Sequence, residues 1–253
     1  IKFSNIKLTK NIFGSFSLII PVLMYHSISD DKSNLSVSVN NFERQIHYLH
    51  TSGFRTVQFN SINEKIKKPL IITFDDGYKD NLINALPILK KYNFTSICFV
   101  VSDLIGKSNI WDKKNRNYVF KELLSENDIR AWLDNGMFIG SHGKSHRSLI
   151  DLKTDEILEE IKISKIALEN IIGNKIDCFS YPFGNINKLS ANLVNKSYHF
   201  AVSTMRSRFD TNKHKNYFIP RVHMSNNLNR LKLFIKIKTF YEDIKYNEKQ
   251  LYM

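Results

Sequence analysis

The sequence is poor in the residues that build unusual scaffolds. Its two cysteines, Cys98 and Cys178, exclude a disulfide framework and cannot alone complete a four-ligand zinc site. Both fall in apolar runs, so buried strand thiols are expected. Nine glycines and five prolines in 253 residues leave little material for long flexible linkers. No run of ~20 apolar residues occurs, so no membrane-spanning helix is expected. Zinc-finger spacing, Gly–aromatic RNA-binding patterns and Walker loops are lacking too. There is no internal repeat. One domain over 1–253 is expected, with a core at about 18–224 and an amphipathic helix at about 226–246.

What is plentiful is positive charge: 37 Lys and Arg against 24 Asp and Glu give a net +13. Charge of this sign suits an anionic membrane or polymer, whereas a nucleic-acid partner would rest on charge alone and is not expected. A bias toward Lys, Asn and Ile along the whole chain produces the same balance with no ligand behind it. The chain begins at Ile1, consistent with a processed or trimmed product. Lys7 and Lys10 precede an apolar run from Ile12 to Met24 that superficially resembles a signal peptide, but no small-x-small cleavage site follows. Its second half, Leu18 to Tyr25, reads as a buried first strand.

Apolar runs alternate with helical periodicities along most of the length. Thr56–Phe59, Pro69–Phe74, Ser96–Val101, Met137–Gly140, Asp177–Tyr181, Phe200–Ser203 and Tyr217–Val222 read as further strands. Between them, Phe42, Ile46 and Leu49 mark one helix and Leu82, Leu86 and Leu89 a second. Ser125–Asp128 has capping-box spacing for a third helix, closed by Asn135-Gly136. Thr154–Ile172, with Gly173 after it, is the longest, and Lys188–Lys196 is another. The order predicts an α/β fold with parallel neighbours. Asp103–Tyr118 is polar and reads as a long loop anchored by Trp111. At the C-terminal end, Leu228–Ile244 carries alternating apolar and basic residues, suiting a helix packed on the barrel wall or one lying on a membrane surface.

Two adjacent carboxylates, Asp75 and Asp76, end the most apolar strand. Burial and mutual repulsion both oppose double ionisation there, and a divalent cation relieves the conflict. A turn with Asp as a helix cap is the plainer alternative. His142 and His146 lie four apart after another short strand, a spacing that lets two imidazoles grip one ion at the same end of the fold. One carboxylate with two histidines leaves a coordination position open to water, as in catalytic rather than structural sites.

The motifs Thr73-Phe-Asp-Asp-Gly77, Ser141-His-Gly-Lys-Ser-His146 and Tyr181-Pro-Phe-Gly184, in this order, resemble the NodB-like polysaccharide deacetylases of carbohydrate esterase family four. Pro21–His26 and Ile219–His223 resemble the first and late strands of its envelope-polysaccharide branch. The resemblance implies a distorted (β/α) barrel of about seven parallel strands and a hydrolase acting on carbon–nitrogen bonds other than peptide bonds. Its substrate would be an N-acetylhexosamine of a bacterial surface polysaccharide or lipid-linked precursor. It implies Asp75 as general base, Asp76, His142 and His146 as ligands of a divalent metal (zinc, with cobalt or nickel suiting the same set), and His223 as general acid. It also implies an oxyanion held by the Phe183 N–H, with His26, Tyr181, Pro182, Phe183, Gly184 and Arg221 on the substrate side; His26 is the alternative acid. The third motif departs from the pattern: Ser180 stands where an Arg usually orients the base, and Arg221 is the candidate to replace it. Gly143 stands where Ser or Thr is usual. A catalytically silent sugar-binding member of the fold is the alternative reading. The bacterial envelope, or the cytoplasm with peripheral membrane contact, is the expected location.

Overall fold

The computed structural model describes residues 17–246. The start of the apolar run at Ile12, with Lys7 and Lys10, lies outside the described residues. Seven strands run parallel and close on themselves in chain order: β1 (Val22–Tyr25), β2 (Pro69–Phe74), β3 (Ile97–Val100), β4 (Phe138–Ser141), β5 (Cys178–Ser180), β6 (Phe200–Arg206) and β7 (Ile219–His223). Pairing of β1 with both β7 and β2 completes the barrel. The expected (β/α) barrel of seven parallel strands is therefore the fold.

Helices α1 (Val39–Thr51), α2 (Leu86–Lys91), α3 (Glu126–Asp134), α4 (Thr154–Ile172) and α5 (Lys188–Ser197) fill the first five crossovers. The β6–β7 connection has no helix. It carries Phe209–Asp210, which pairs antiparallel with Ile19–Ile20. The predicted strand Leu18–Tyr25 is thus two strands, broken at Pro21, which has no N–H for the ladder. The predicted strand at Thr56–Phe59 shrinks to Arg55–Thr56 before a 3₁₀ turn, and the second helix opens as a π turn over Asn81–Ala85. Helix α6 (Arg230–Lys238) is shorter than expected and stops at Thr239, whose hydroxyl bonds back to Ile235 O at 2.6 Å. It buries Leu233 and Ile237 and contacts α1. No helix among the described residues is long and apolar enough to cross a membrane.

Strand alternation sorts the core into two layers. Leu23, Ile72, Phe74 and Cys98 pack outward against Phe42 and Ile46 of α1, Trp132 of α3 and Ile157 of α4. The alternate residues Val22, Ile71, Phe99, Val202 and Ile219 pack on one another without those helices, and so plug the barrel interior. Continuing the same parity, Thr73 and Asp75 follow Ile71, and Arg221 and His223 follow Ile219. The polar groups therefore stack above the plug at the carboxyl ends of the strands, where barrel folds place their sites. Cys98 is buried as expected, and Cys178 is half-buried; both are free thiols, and burial raises the Cys178 thiol to about 12.

Gly140 shows how tight the plug is. A Cβ there would come within 2.5 Å of the Phe99 ring, which lies fully buried. Gly140→Ala is expected to cost about 1–3 kcal/mol through overpacking, read as a lower urea midpoint with unchanged slope; Phe99→Leu should recover part of the loss.

Candidate active site

β2 ends in Asp75 and then leaves the strand abruptly. Asp75 N–H still donates to Tyr25 O at 3.0 Å, but Asp76 turns to φ 74° and Gly77 to φ 73°. That left-handed pair aims the two carboxylates in different directions. His146 (φ 61°) and Phe183 (φ 59°) are held in the same disfavoured region, so three of the five non-glycine residues with positive φ among those described meet at one place. Such clustering marks a site over-determined by its surroundings.

Asp76, His142 and His146 are all buried, and one ligand atom from each lies within 4.8 Å of the others. Both imidazole Nε2 atoms stand 3.2 Å from the same Asp76 oxygen. His142 Nδ1 lies 2.8 Å from the Ser180 carbonyl, which can only accept, so Nδ1 carries a proton and the ring is oriented with Nε2 toward Asp76. His146 is fixed by rings instead. Trp111 stacks on it at 4.3 Å and Phe183 meets it edge-on at 4.6 Å. Its Nδ1 has no hydrogen-bond partner among the described residues. Burial pushes the Asp76 carboxyl up, but hydrogen bonds from both histidines outweigh it and hold it well below the usual range. Burial likewise favours neutral imidazoles; it prevails at His146, while the Asp76 and Asp75 charges prevail at His142 and raise it. Two neutralisable imidazoles and one ionised carboxylate, converging and desolvated, form a donor set that fits a divalent ion of the zinc type.

Asp75 faces the other way, into the barrel. Arg221 Nη1 and Nη2 donate to its two oxygens at 2.8 and 2.6 Å, and both side chains are buried. The same guanidinium donates to Ser203 O (2.8 Å), Thr73 Oγ1 (3.1 Å) and Ser180 Oγ (3.2 Å). Ser180, at the place where the motif usually has Arg, thus receives the guanidinium of Arg221. Burial would raise the Asp75 carboxyl, but the Arg221 charge and hydrogen bonds dominate and keep it below its ordinary value. His26 is half-buried at the end of β1 and His223 exposed at the end of β7, in register beside Met24. Of the third motif, Phe183 is 53% exposed over the site. Gly184 (φ 73°) is obligatory, since a Cβ would fall 1.9 Å from Thr204 Oγ1. Tyr181 is placed in the core, its hydroxyl donating to Tyr217 O, so its side chain does not line the cleft.

Sequence reasoning missed Glu160. It sits on the buried face of α4 and accepts the backbone N–H groups of Lys144 and Ser145, each at 2.9 Å, together with the Ser145 hydroxyl. One carboxylate thereby shapes the loop between His142 and His146. The available signal was a Glu among Ile157, Ile161, Ser164 and Leu168, an acid on an apolar helix face. Glu160→Gln is expected to keep the fold and to weaken divalent-metal affinity about 10-fold or more, measured by calorimetric zinc titration, with Glu160→Ala weaker still.

The comparisons with known proteins agree with this geometry. Residues 62–200 match the family model described as polysaccharide deacetylase. A Bacillus subtilis protein named "Putative polysaccharide deacetylase YxkH" is 32% identical over 73% of this chain and 64% of its own length, so the chain spans just under two thirds of that relative. The poly-beta-1,6-N-acetyl-D-glucosamine N-deacetylase of Staphylococcus epidermidis is 29% identical over 78% of the chain and 71% of its own. Among solved structures, BC0361, a polysaccharide deacetylase from Bacillus cereus, superposes with a TM-score of 0.77 at 27% identity, covering 90% of this chain and 75% of that one. Motif, barrel and matched span together place the chain in the polysaccharide deacetylase family.

Proposed function

We propose that the protein is a metal-dependent hydrolase that removes N-acetyl groups from an N-acetylhexosamine of a bacterial surface polysaccharide. The observation that carries the reading is the contact of two different carboxylate environments at one strand end: Asp76 with two histidines, and Asp75 with a buried guanidinium. The staphylococcal relative's named substrate supports the sugar class. A divalent ion held by Asp76, His142 and His146 would supply Lewis acidity, acidifying water and polarising the acyl group. Asp75 accepts the proton of the attacking water. Arg221 keeps Asp75 ionised and fixed in orientation, because its lowered carboxyl stays a base well into acid. The Phe183 N–H donates to the developing oxyanion, and the exposed Phe183 ring shields His146 from bulk water.

The leaving amine needs a proton, and His223 is the proposed donor. Partial desolvation, then the positive groups His26, Arg221, Lys236 and Arg206, lower its imidazole to about 4. Its charged neighbours are all positive, so negative charge arriving beside His223 favours the protonated imidazole.

Acetate release from N-acetylglucosamine oligomers tests the reading. Chelation should abolish it and zinc or cobalt restore it. Asp75→Asn should lower kcat by about 10²–10⁴. Turnover that survives chelation, or sugar binding with no acetate released from a broad panel, would sink the proposal. Arg221 provides a pH test. With a lowered folded value, Asp75 contributes stability above the unfolded carboxyl value of about 3.9, lost as pH falls through the folded one. In Arg221→Gln the burial penalty stands uncompensated, so the acid limb of kcat/KM should move to higher pH. Stability should fall by about 3–5 kcal/mol, measured by denaturant unfolding at pH 7.

A further inference from the structure

Beside the strand ends of β6 and β7 lies an open groove of about 480 Å3 lined by Thr204, Arg206, His223, Ser225 and Lys236. A second cavity of about 550 Å3 shares Thr204 and Arg206 with it and adds Lys245. We propose that this groove binds an anionic substituent, a phosphate ester or carboxylate, on the glycan whose acetamide enters the Asp76–His142–His146 site. The inference rests on the deacetylase reading for the identity of that glycan and on groove geometry for the anion.

The charge is arranged to face the groove. Arg206 and Lys236 share one counter-ion, Glu242, which is 0% exposed and does not line the groove. Arg206 Nε and Nη2 donate to its two oxygens at 2.8 Å each, and Lys236 Nζ stands 3.1 Å from Oε1. The carboxylate is saturated and walled off, so two cations with one buried anion leave net positive charge on the groove wall. The His223 ring, the Thr204 hydroxyl and the Ser225 hydroxyl make no hydrogen bond among the described residues, while Arg206 also meets the Tyr241 side chain and Lys236 Nζ donates to His223 O at 2.7 Å, which holds both cations at the groove wall. A guanidinium edge, an ammonium, an imidazole and two hydroxyls around one space match an oxyanion, where a neutral sugar would leave the charges unanswered.

Its position ties the groove to the reacting centre. Ser203, next to Thr204, gives its carbonyl to Arg221, and His223 follows Arg221 by two on the same strand face. Thr204 also packs against Gly184, in the loop whose Phe183 covers His146. An anion held here lies on the His223 side of the base. The lowered His223 imidazole agrees with an excess of positive groups awaiting a counter-charge.

The test measures binding without turnover, on the zinc-loaded full chain at low salt, with already deacetylated sugars as probes. Affinities for glucosamine, glucosamine 1-phosphate and muramic acid are compared by NMR titration. At least one of the two anionic sugars should bind ~10-fold tighter than glucosamine, and which of them does separates phosphate from carboxylate. Arg206→Gln and Lys236→Met combined with Glu242→Gln removes both cations together with their buried counter-ion, and should abolish the advantage. Lys236→Met should reduce it several-fold in an otherwise folded protein. Equal affinity for all three sugars, or an advantage that survives both variants, would overturn the site. An anionic preference with no acetate released from any N-acetyl sugar would remove the deacetylase reading and leave the site standing.

Discussion

The ion pair between Asp75 and Arg221 is the constraint around which the upper barrel is arranged. Two charges have been taken from water into the mouth of a closed sheet, a cost that coulombic attraction offsets only with good geometry and full hydrogen bonding. Both conditions hold. The pair is bidentate, and the remaining guanidinium donors go to β6 through Ser203, to β2 through Thr73 and to the end of β5 through Ser180. One side chain from β7 therefore fixes the relative positions of three other strand ends. The apolar plug of Val22, Ile71, Phe99, Val202 and Ile219 beneath it excludes water from below, which strengthens the pair and makes it intolerant of losing either partner.

The metal-type triad depends on this pair indirectly. Ser180 is the shared element: its hydroxyl contacts Arg221 and its carbonyl orients His142. Asp76 can turn away from Asp75 because the backbone adopts a left-handed conformation immediately after the strand, and Gly77 continues it where Asp76 pays the steric penalty. On the far side, Glu160 fixes the loop carrying His146, with Trp111 and Phe183 closing over the ring. The site is thus assembled from the ends of four strands and one helix face, and its strain is borne by Asp76, His146 and Phe183, where donors must converge.

Much of this was legible in the sequence because strands and helices that face a core carry their period openly. Pro69–Phe74 and Thr154–Ile172 have the boundaries their patterns predict. The chemical residues were legible for a related reason: adjacent carboxylates after an apolar strand, and histidines four apart after another, are expensive patterns without a purpose. What escaped was tertiary. Glu160 lies in chain order far from Asp75, and although its place on an apolar helix face sets it apart from a solvated acid, the loop it binds is defined only once α4 is docked. Tyr181 looked like a cleft residue because it belongs to a motif, yet the strand parity at the end of β5 turns its ring into the core. Pro21 split a predicted strand because ladder donors matter as much as hydrophobicity. Helix α6 was overextended because basic and apolar residues continue past Thr239 in a pattern that the 3₁₀ turn at Asp243–Lys245 interrupts.

The net charge of +13 has a structural sense once residues are placed. Lys107, Lys113, Lys114 and Arg116 are exposed on the loop that carries Trp111 to His146, whereas Lys121 from the same loop is buried and paired with Asp31 and Asp80. Behind the β6–β7 connection, Arg206 pairs with Glu242 and Arg208 with Asp243, two adjacent acids on the segment after α6. That double clamp holds the C-terminal segment against the strand end from which Arg206 reaches the groove. Positive charge is thus both exposed to solvent, on the loop, and held in place by acids that are buried or half-buried, at the groove. Only the second kind has a fixed geometry, because a buried carboxylate sets the direction of its cation while a solvated lysine samples many. For a histidine at the edge of such a wall, an anion received there favours the protonated imidazole, which is how the proposed groove and the proposed acid His223 would be coupled.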